Sequence, residues 1–379
     1  FIITINPTPD VIQPENQNLC NRATTNAIVF NGSVSGTNFN WTNNNTSIGL
    51  AAGGNGNIPA FTAINTTNAP VTATITVTPS AMGCTGAVQT FTITVNPTPD
   101  VAQTPDQILC SETTTNAVIF SGAVNGTVYN WTNTATSIGL PASGSGNIAP
   151  FTAYSNGYSV SVATIRVTPV AFGCAGPEKW FTITVNPTPN VLQPPNQSLC
   201  NGATTDSIAF SGAMNNAVYS WTNSNPAIGL AASGIGNIAA FAGVNTGNTP
   251  ITATITVTPA TNLCTGAAKT FTITVHPTPL VNAGIDTKVC LGNSVQLTAT
   301  GASQYVWSPA TGLSCTNCPN PVSTPVDSMR YIVRGESAFG CIAHLAKATW
   351  RLEITGPAGD KNAIKTGIKK PVSLSGTFA

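Results

Sequence analysis

Residues 91–100 read FTITVNPTPD, and this stretch recurs as FTITVNPTPN at 181–190 and as FTITVHPTPL at 271–280. A variant, FIITINPTPD, occupies residues 1–10. The first half alternates aromatic or β-branched residues with threonine, which predicts a half-buried strand. Each proline of the second half removes a backbone donor and fixes φ, so the strand must end in a short, stiff connector. The chain is therefore predicted to be a tandem array with a period of 90 residues.

This period divides the 379-residue chain into small domains, each long enough for a modest core. No segment shows an apolar period of 3.6, and short alternating segments are separated by turns rich in glycine, asparagine and proline. That pattern predicts an all-β fold, a tandem array of immunoglobulin-like β-sandwich domains. The predicted parts are residues 1–5 as a final strand without a body of its own, 6–95, 96–185 and 186–275 as three repeats, 276–355 as a fourth domain, and 356–379 as a C-terminal tail.

Composition excludes several classes of partner. Only 7% of the residues are charged and the net charge is +1, against about 25% charged residues in an ordinary globular protein. Such a chain has no electrostatic footprint for nucleic acid or anionic lipid. No apolar run approaches the ~20 residues that span a bilayer, so no membrane span is expected. Nearly neutral surfaces also repel one another weakly, which suits self-association.

The cysteines repeat with the domains, and their regular spacing predicts one disulfide within each domain. Closing a loop of 64 residues would stabilise a domain by about 4 kcal/mol in the chain-entropy model. Disulfides at this density indicate an oxidising, extracellular or cell-surface location. The expected bridges are Cys20 to Cys84, Cys110 to Cys174, Cys200 to Cys264, and Cys290 to Cys341.

The sequence CTNC, from Cys315 to Cys318, has the spacing of a redox motif or of half a zinc site. Zinc needs two further ligands, and the fourth domain retains only His344 if its other cysteines pair, so a small loop disulfide is favoured. One acid beside a linker, such as Asp10 or Asp100, is too few for calcium, although a calcium site at the junctions stays an open alternative. No metal, no cofactor and no enzymatic site is expected.

A tryptophan recurs two residues after an aromatic residue in every domain. Residues i and i+2 share one face of a strand, so each pair presents two rings to the same side. Core packing is the favoured role. The alternative is an exposed platform for sugar rings, which would make the chain a carbohydrate-binding module array attached to a larger secreted protein. The tryptophans are Trp41, Trp131, Trp221 and Trp307.

Residues 199–279, from LCNGATTDSIAFSGA to FTITVHPTP, resemble the PKD-like repeats of very long surface proteins of Bacteroidota. Residues 281–341, with VNAGIDTKVCLGNSVQLTATGASQYVWSP, resemble the PKD domain that often accompanies them. The resemblance implies secreted cell-surface proteins, many of them adhesins or gliding-motility components exported by the type IX system, and no catalytic residue. In that family Asp-Ser followed by an apolar residue is an O-glycosylation signal, which makes Ser207 and Ser328 candidates. The tail does not resemble the family's sorting domain.

The expected function is that of a non-enzymatic extracellular structural protein, a disulfide-stapled rod or filament subunit serving adhesion or fibre formation. Its expected partners are further copies or a longer chain, and surface glycans or other cells. The first strand leaves two alternatives open. It either pairs with an exposed edge of a neighbouring subunit, as a donor strand, or belongs to a preceding repeat of the same polypeptide. The residues concerned are Phe1, Ile2, Ile3, Thr4 and Ile5.

Overall fold

The computed structural model describes residues 1–290, 292–343 and 349–355. They form two compact units, the first made of residues 1–188 with 261–264, the second of residues 189–260 with those from 265 onward. Regular structure in the described residues consists of strands and three short 3-10 helices. The sequence-based expectations for His344 and for the tail at 356–379 fall outside the described residues.

The first repeat is built on a long strand with strictly alternating burial. Ala73, Ile75 and Val77 of this strand are buried, whereas the threonines between them lie toward solvent. The repeated Val-Thr-Ala-Thr-Ile-Thr pattern therefore forms a strand with one core face. The strands are β1 (Gln17–Cys20), β2 (Asn38–Asn43), β3 (Gly53–Asn55), β4 (Val71–Ala81), β5 (Cys84–Thr85) and β6 (Gln89–Asn96), with a 3-10 helix at Thr46–Ile48.

Its main sheet has the strand order β1-β6-β4-β2-β3, with β5 paired to the end of β4. β1 runs parallel to β6, and the other pairs are antiparallel. A second layer consists of two extended segments joined by antiparallel bridges from Thr24 to Thr62 and from Ile28 to Ile58. The core between the layers joins Phe30 to the inward residues of β4 and β6. This is a two-layer, immunoglobulin-like sandwich.

The second and third repeats have the same strand order. The second contains β7 (Gln107–Cys110), β8 (Thr113–Thr114), β9 (Val128–Asn133), β10 (Ser143–Ser145), β11 (Thr152–Ala153), β12 (Ser161–Ala171), β13 (Cys174–Ala175) and β14 (Lys179–Asn186), with a 3-10 helix at Thr136–Ile138. The third contains β15 (Gln197–Cys200), β16 (Val218–Asn223), β17 (Ser233–Ile235), β18 (Ile251–Ala260) and β19 (Lys269–His276), with a 3-10 helix at Pro226–Ile228.

The fourth domain keeps the parallel pairing of first and last strands but has a different core. Its sheet order is β20-β25-β24-β22, and β21 pairs with β23 in a second layer. Trp307 and Tyr331 fill its core, where the first repeat combines its own tryptophan, Trp41, with phenylalanines and isoleucines. Its strands are β20 (Thr287–Cys290), β21 (Val295–Gln296), β22 (Gln304–Ser308), β23 (Val322–Ser323), β24 (Arg330–Glu336) and β25 (Thr349–Thr355). The described chain is thus an all-β tandem array of such sandwiches.

The proline connectors are packed against the domains that follow them. An ideal Cβ on Gly86 would lie 1.7 Å from the carbonyl oxygen of Pro9, and Gly176 stands in the same relation to Pro99. A few residues later, the amide of Ile12 donates to the carbonyl of Asn31 at 2.8 Å. Only glycine permits this approach, because any side chain would occupy the position of the carbonyl. Each connector is therefore an integral edge of its sandwich.

Candidate functional site

The disulfides that involve the repeating cysteines differ from those that the spacing predicted. Cys20 is bonded to Cys174, Cys110 to Cys264, and Cys200 to Cys341, with sequence separations of 154, 154 and 141 residues. The prediction of one bridge within each domain is wrong, and Cys84 is a half-buried thiol. In sequence terms, the first cysteine of one repeat is bonded to the second cysteine of the next.

Strand direction explains why the two cysteines of one repeat do not meet. Cys20 lies opposite Asn96 in the parallel pair of β1 and β6, at the end of the last strand. β4 runs antiparallel to β6, so the turn after β4 that leads to Cys84 lies beyond Gln89, at the start of that strand. The length of β6 separates these positions by roughly 24 Å. A disulfide needs Cα atoms within about 7 Å, so this pairing is excluded.

At the junction of the first and second repeats, an asparagine accompanies the disulfide. The side-chain Nδ2 of Asn96 donates to the carbonyl of Phe172 at 3.2 Å and to Oδ1 of Asn18 at 2.9 Å. Asn96 is buried, and its own carbonyl accepts from the amide of Asn21 at 2.9 Å. Phe172 precedes the bonded Cys174 by two residues. The amide therefore holds the loop that presents the second cysteine.

At the junction of the third repeat and the fourth domain, a histidine occupies the same register position. His276 lies opposite Cys200, and its ring stacks on Phe339 with centroids 4.1 Å apart and an interplanar angle of 21°. Its Nε2 lies 2.8 Å from the hydroxyl oxygen of Ser198. Phe339 again precedes the bonded cysteine, Cys341, by two residues. Ring stacking here takes the place of the asparagine hydrogen bond.

A cleft of about 910 Å³ lies beside this second junction, between the connector at Pro277–Leu280 and the loop that carries Phe339. Threonine, asparagine, serine, proline, glycine and alanine residues line it together with Leu280 and Phe339, and no lining residue is charged. The cleft therefore presents no charged side chain to a metal ion or a substrate.

The acids beside the connectors serve as local caps. Asp10 Oδ1 accepts hydrogen bonds from the amide of Ser33 at 2.6 Å and from its hydroxyl at 2.7 Å. These bonds, led by the one from the hydroxyl, lower the pKa of Asp10. Asp100 accepts from the amide of Ala123 in the same way, at 2.7 Å. In the third repeat, Asn190 Oδ1 accepts from the amide of Ala213 at 2.8 Å, so the position requires an acceptor and not a charge. Sequence analysis missed this capping role.

Within the described residues, no group of three or more His, Cys, Asp or Glu side chains is placed to hold a metal ion. The CTNC motif is closed by a disulfide between Cys315 and Cys318, in agreement with the loop bridge favoured from the sequence. No cluster of acidic side chains in this part of the chain therefore supports the calcium alternative.

The four recurring tryptophans lie in the sandwich cores, whereas Trp180 is an exposed residue outside the recurring set. Trp41, Trp131 and Trp221 are each 7% exposed, and Trp307 is 2% exposed. A glycine of the neighbouring strand covers the ring in each repeat, since a Cβ on Gly144 would lie 2.2 Å from Trp131. This contact explains one glycine in the glycine-rich stretch that follows each tryptophan. Rings covered in this way present no face to a sugar.

The remaining candidates lie on the surface. Ser207 and Ser328 are exposed. Phe1 to Ile5 belong to no strand of the described structure, and Phe1, Ile2, Ile3 and Ile5 are exposed large apolar residues. Among the described residues, no helix has the length and apolar character required to cross a membrane.

No family model and no curated protein matches this chain. Among solved structures, Sidekick-1 immunoglobulin domains 1-4 are 11% identical with a TM-score of 0.28, over 92% of this chain and 99% of that one. Mouse Cadherin-23 EC22-24 is 10% identical with a TM-score of 0.31, over 72% of this chain and all of that one. The human Desmocollin-1 ectodomain is 8% identical with a TM-score of 0.28, over 92% and 79%. Likeness at this level carries no functional argument, and the fold assignment rests on strand order and burial.

Proposed function

We propose that this chain is a non-enzymatic structural segment of an extracellular surface protein, in which disulfides between successive domains resist extension. The proposed role is a stapled rod or filament segment that projects or assembles on a cell surface and serves adhesion or fibre formation. The observation that carries the proposal is the disulfide pattern, in which a bond reaches from each repeat to the domain that follows it in sequence.

The pattern has a direct mechanical consequence. A pull on the two chain ends passes through Cys20 to Cys174 and then through Cys200 to Cys341, because each disulfide bypasses the backbone between its cysteines. Only the end segments and the backbone from Cys174 to Cys200 carry the extension. These segments hold about 85 residues, or ~290 Å at full stretch, against ~1,300 Å for the reduced chain. Most of the backbone of the domains therefore bears no tension when the chain ends are pulled.

Other features support the same role. The surface is nearly uncharged, and disulfides of this kind persist in oxidising compartments. The resemblance of the repeats to PKD-like domains of Bacteroidota supports a type IX secreted surface protein as the source of the chain. Exposed Ser207 and Ser328 suit the glycosylation proposed from that resemblance. The rival proposal of a carbohydrate-binding array loses its main support, because the recurring tryptophans are buried.

Force spectroscopy on the full chain, tethered at its two ends, tests the proposal. We expect the oxidised protein to rupture or stiffen near ~290 Å and the protein reduced with dithiothreitol to extend beyond ~1,000 Å. A matched control replaces Cys315 and Cys318 with serine, which removes a disulfide that bypasses only two residues and leaves the oxidised length unchanged. Full extension of the oxidised chain at low force would contradict the mechanical role.

A further inference from the structure

We propose that Cys84 and the segment Phe1–Asn6 form a covalent acceptor for a further repeat placed ahead of the first. In this arrangement, a strand of the same type as Gln17–Cys20 pairs in parallel with Phe1–Asn6, and its cysteine bonds to Cys84. The acceptor is independent of the proposed mechanical role, because the bond would form whether or not the array carries tension.

The first argument is that the cysteines equivalent to Cys84 in the later domains are all disulfide-bonded. Cys174, Cys264 and Cys341 occupy the position of Cys84 in their domains, and each is bonded to the first cysteine of the domain before it. Cys84 starts β5 and lies opposite Ala81, as Cys174 starts β13 and lies opposite Ala171. The thiol of the first repeat therefore has the same backbone setting as a sulfur that is bonded in the second.

The second argument is a contact that the acceptor already makes. Nδ2 of Asn6 donates to the carbonyl of Met82 at 2.9 Å, just as Asn96 donates to the carbonyl of Phe172 at 3.2 Å. Met82 and Phe172 also share a left-handed backbone, with φ of 49° and 53°. Asn6 therefore already makes the contact that Asn96, at the end of a last strand, makes at a complete junction. The residue that it contacts, Met82, precedes Cys84 by two residues.

Strand register then fixes where an incoming cysteine would lie. Cys20 is the Cα partner of Asn96, and its sulfur reaches the cysteine two residues beyond Phe172. A cysteine that occupied the same position opposite Asn6 would reach the cysteine two residues beyond Met82, which is Cys84. The parallel register and side-chain contact seen at the Cys20–Cys174 junction would therefore place the incoming sulfur beside that of Cys84.

The third argument concerns the character of the occupant. In β6, the equivalents of Phe1, Ile3 and Ile5 are Phe91, Ile93 and Val95, which are all buried in a sandwich core. The apolar side of the first segment is exposed here. A complete sandwich body would cover that side and supply the pairing strand at once, so the occupant that fits is a repeat and not an isolated peptide.

The bond forms by thiol–disulfide exchange with a disulfide-bearing oxidant, for which glutathione disulfide serves in the test. The thiolate of Cys84 attacks one sulfur of glutathione disulfide and releases one glutathione. The incoming cysteine thiolate then attacks the mixed disulfide at the Cys84 sulfur and releases the second glutathione. Two S–H bonds are lost, one S–S bond forms, and the two electrons reduce the oxidant to two glutathione molecules.

The experiment extends the full chain at Phe1 with a copy of residues 6–90, so that the copy ends in the existing FIITI strand. The separation from the copied Cys20 to Cys84 is then 154 residues, equal to that of Cys20 and Cys174. After oxidation in a glutathione buffer, free thiols are blocked with iodoacetamide and the unreduced digest is mapped by mass spectrometry. We expect Cys84 to be linked to the copied Cys20, and alkylation to move from Cys84 to the copied Cys84.

A matched control carries serine at the copied Cys20, and Cys84 should then remain alkylated. The digest reports folding internally, because the peptides joined by Cys20–Cys174 and Cys110–Cys264 must also appear. If those disulfides form while Cys84 stays alkylated in the extended chain, the proposal is overturned. A bond from Cys84 to any sulfur other than the copied Cys20, including one in a second molecule, overturns it as well.

Discussion

The junction of the first and second repeats and the junction of the third repeat and the fourth domain use the same covalent link with different surroundings. The bonded cysteines have Cα separations of 5.6 and 5.5 Å. Beside them, Asn96 makes hydrogen bonds in one case, and His276 stacks on an aromatic ring in the other. The disulfide tolerates this exchange because the parallel strand register positions the cysteine. The neighbouring side chain holds the loop that carries the second cysteine, through a hydrogen bond at one junction and a ring stack at the other.

The largest predicted effect comes from removing the link at either junction. Replacing both Cys20 and Cys174 with serine, or both Cys200 and Cys341, should lower the free energy of unfolding by about 2–5 kcal/mol. The loops of 154 and 141 residues are nearly equal, so the two losses should agree within about 0.2 kcal/mol in the chain-entropy model. Guanidinium unfolding followed by tryptophan fluorescence measures both.

A clear inequality between these two double variants would show that the surroundings, and not loop closure, set the strength of a junction. The double serine variant of Cys315 and Cys318 serves as the control, because its loop is very short. Its loss should be smaller than that of either junction.

The second prediction concerns the glycines that receive the connectors. At the first junction, Gly176 accommodates the carbonyl of Pro99, and at the second, Gly301 accommodates the carbonyl of Leu280, 1.7 and 1.9 Å from an ideal Cβ. Gly176→Ala should cost about 1–3 kcal/mol of stability through overpacking. Gly301→Ala should cost about 1 kcal/mol more, because its φ of +90° also disfavours a side chain.

Thermal unfolding of the two variants makes this comparison. Gly126→Ala is the matched control, since Gly126 has a φ of +76° and no neighbour within 4 Å. It should show the backbone cost alone, about 1 kcal/mol. If Gly176→Ala were less destabilising than this control, the connector would not be packed as tightly as the structure places it.

The fold could be predicted from the sequence because its signals are local. Alternation in 71–81 and 89–96 decides which residues of each strand face the core, and the prolines after residue 96 decide where the strand stops. The pairing of a tryptophan with an aromatic residue two positions earlier indicated a shared strand face, and Trp131 lies in the core with Tyr129 packed against it.

The disulfide partners could not be predicted in this way. A cysteine spacing that repeats every 90 residues is equally compatible with a bond inside one repeat and with a bond to the next. The choice depends on strand direction, which places Cys20 and Cys84 at opposite ends of one sandwich. Sequence periodicity gives the faces of strands but not which ends of the domain they bring together. The contact of Asn6 with Met82 could not be predicted for the same reason, because it also depends on which strand ends lie together.

The third prediction exchanges the side chains that distinguish the junctions. His276→Asn removes the ring stack on Phe339 and should cost about 0.5–1.5 kcal/mol. The disulfide between Cys200 and Cys341 should still form, because the substitution leaves the backbone of residue 276 paired with Cys200. Asn96→Ala should cost a similar 1–2 kcal/mol, since it removes two hydrogen bonds in a buried position.

Thermal unfolding gives the stabilities, and peptide mapping without reductant reports the disulfides. Phe339→Ala is the control for the stack. Its loss of stability should be smaller in the His276→Asn background than in the wild type, because the stack is already absent there. Loss of the disulfide in His276→Asn would refute the view that strand register alone positions the cysteine.

The smallest predicted effect concerns an acid that only the first of these junctions has. Burial raises the pKa of Tyr129, and the negative charge of Asp100 raises it further, whereas the connector of the second junction has Leu280 in place of the acid. Asp100→Asn keeps an acceptor for the amide of Ala123, as Asn190 does for Ala213 at 2.8 Å, but removes the charge. The pKa of Tyr129 should therefore fall part of the way toward the ordinary tyrosine value of 10.0 and stay above it, because burial remains.

The raised pKa of Tyr129 makes the neutral phenol the preferred form in the folded state, so its contribution to stability is present below the unfolded pKa and is lost as pH rises through the folded value. Asp100→Asn should shift that alkaline loss slightly toward lower pH. Tyrosinate absorbance, taken as the difference from a Tyr129→Phe variant, measures the pKa directly. An unchanged pKa in Asp100→Asn would mean that burial alone sets it, and the acid at this junction would then act only as a hydrogen-bond cap.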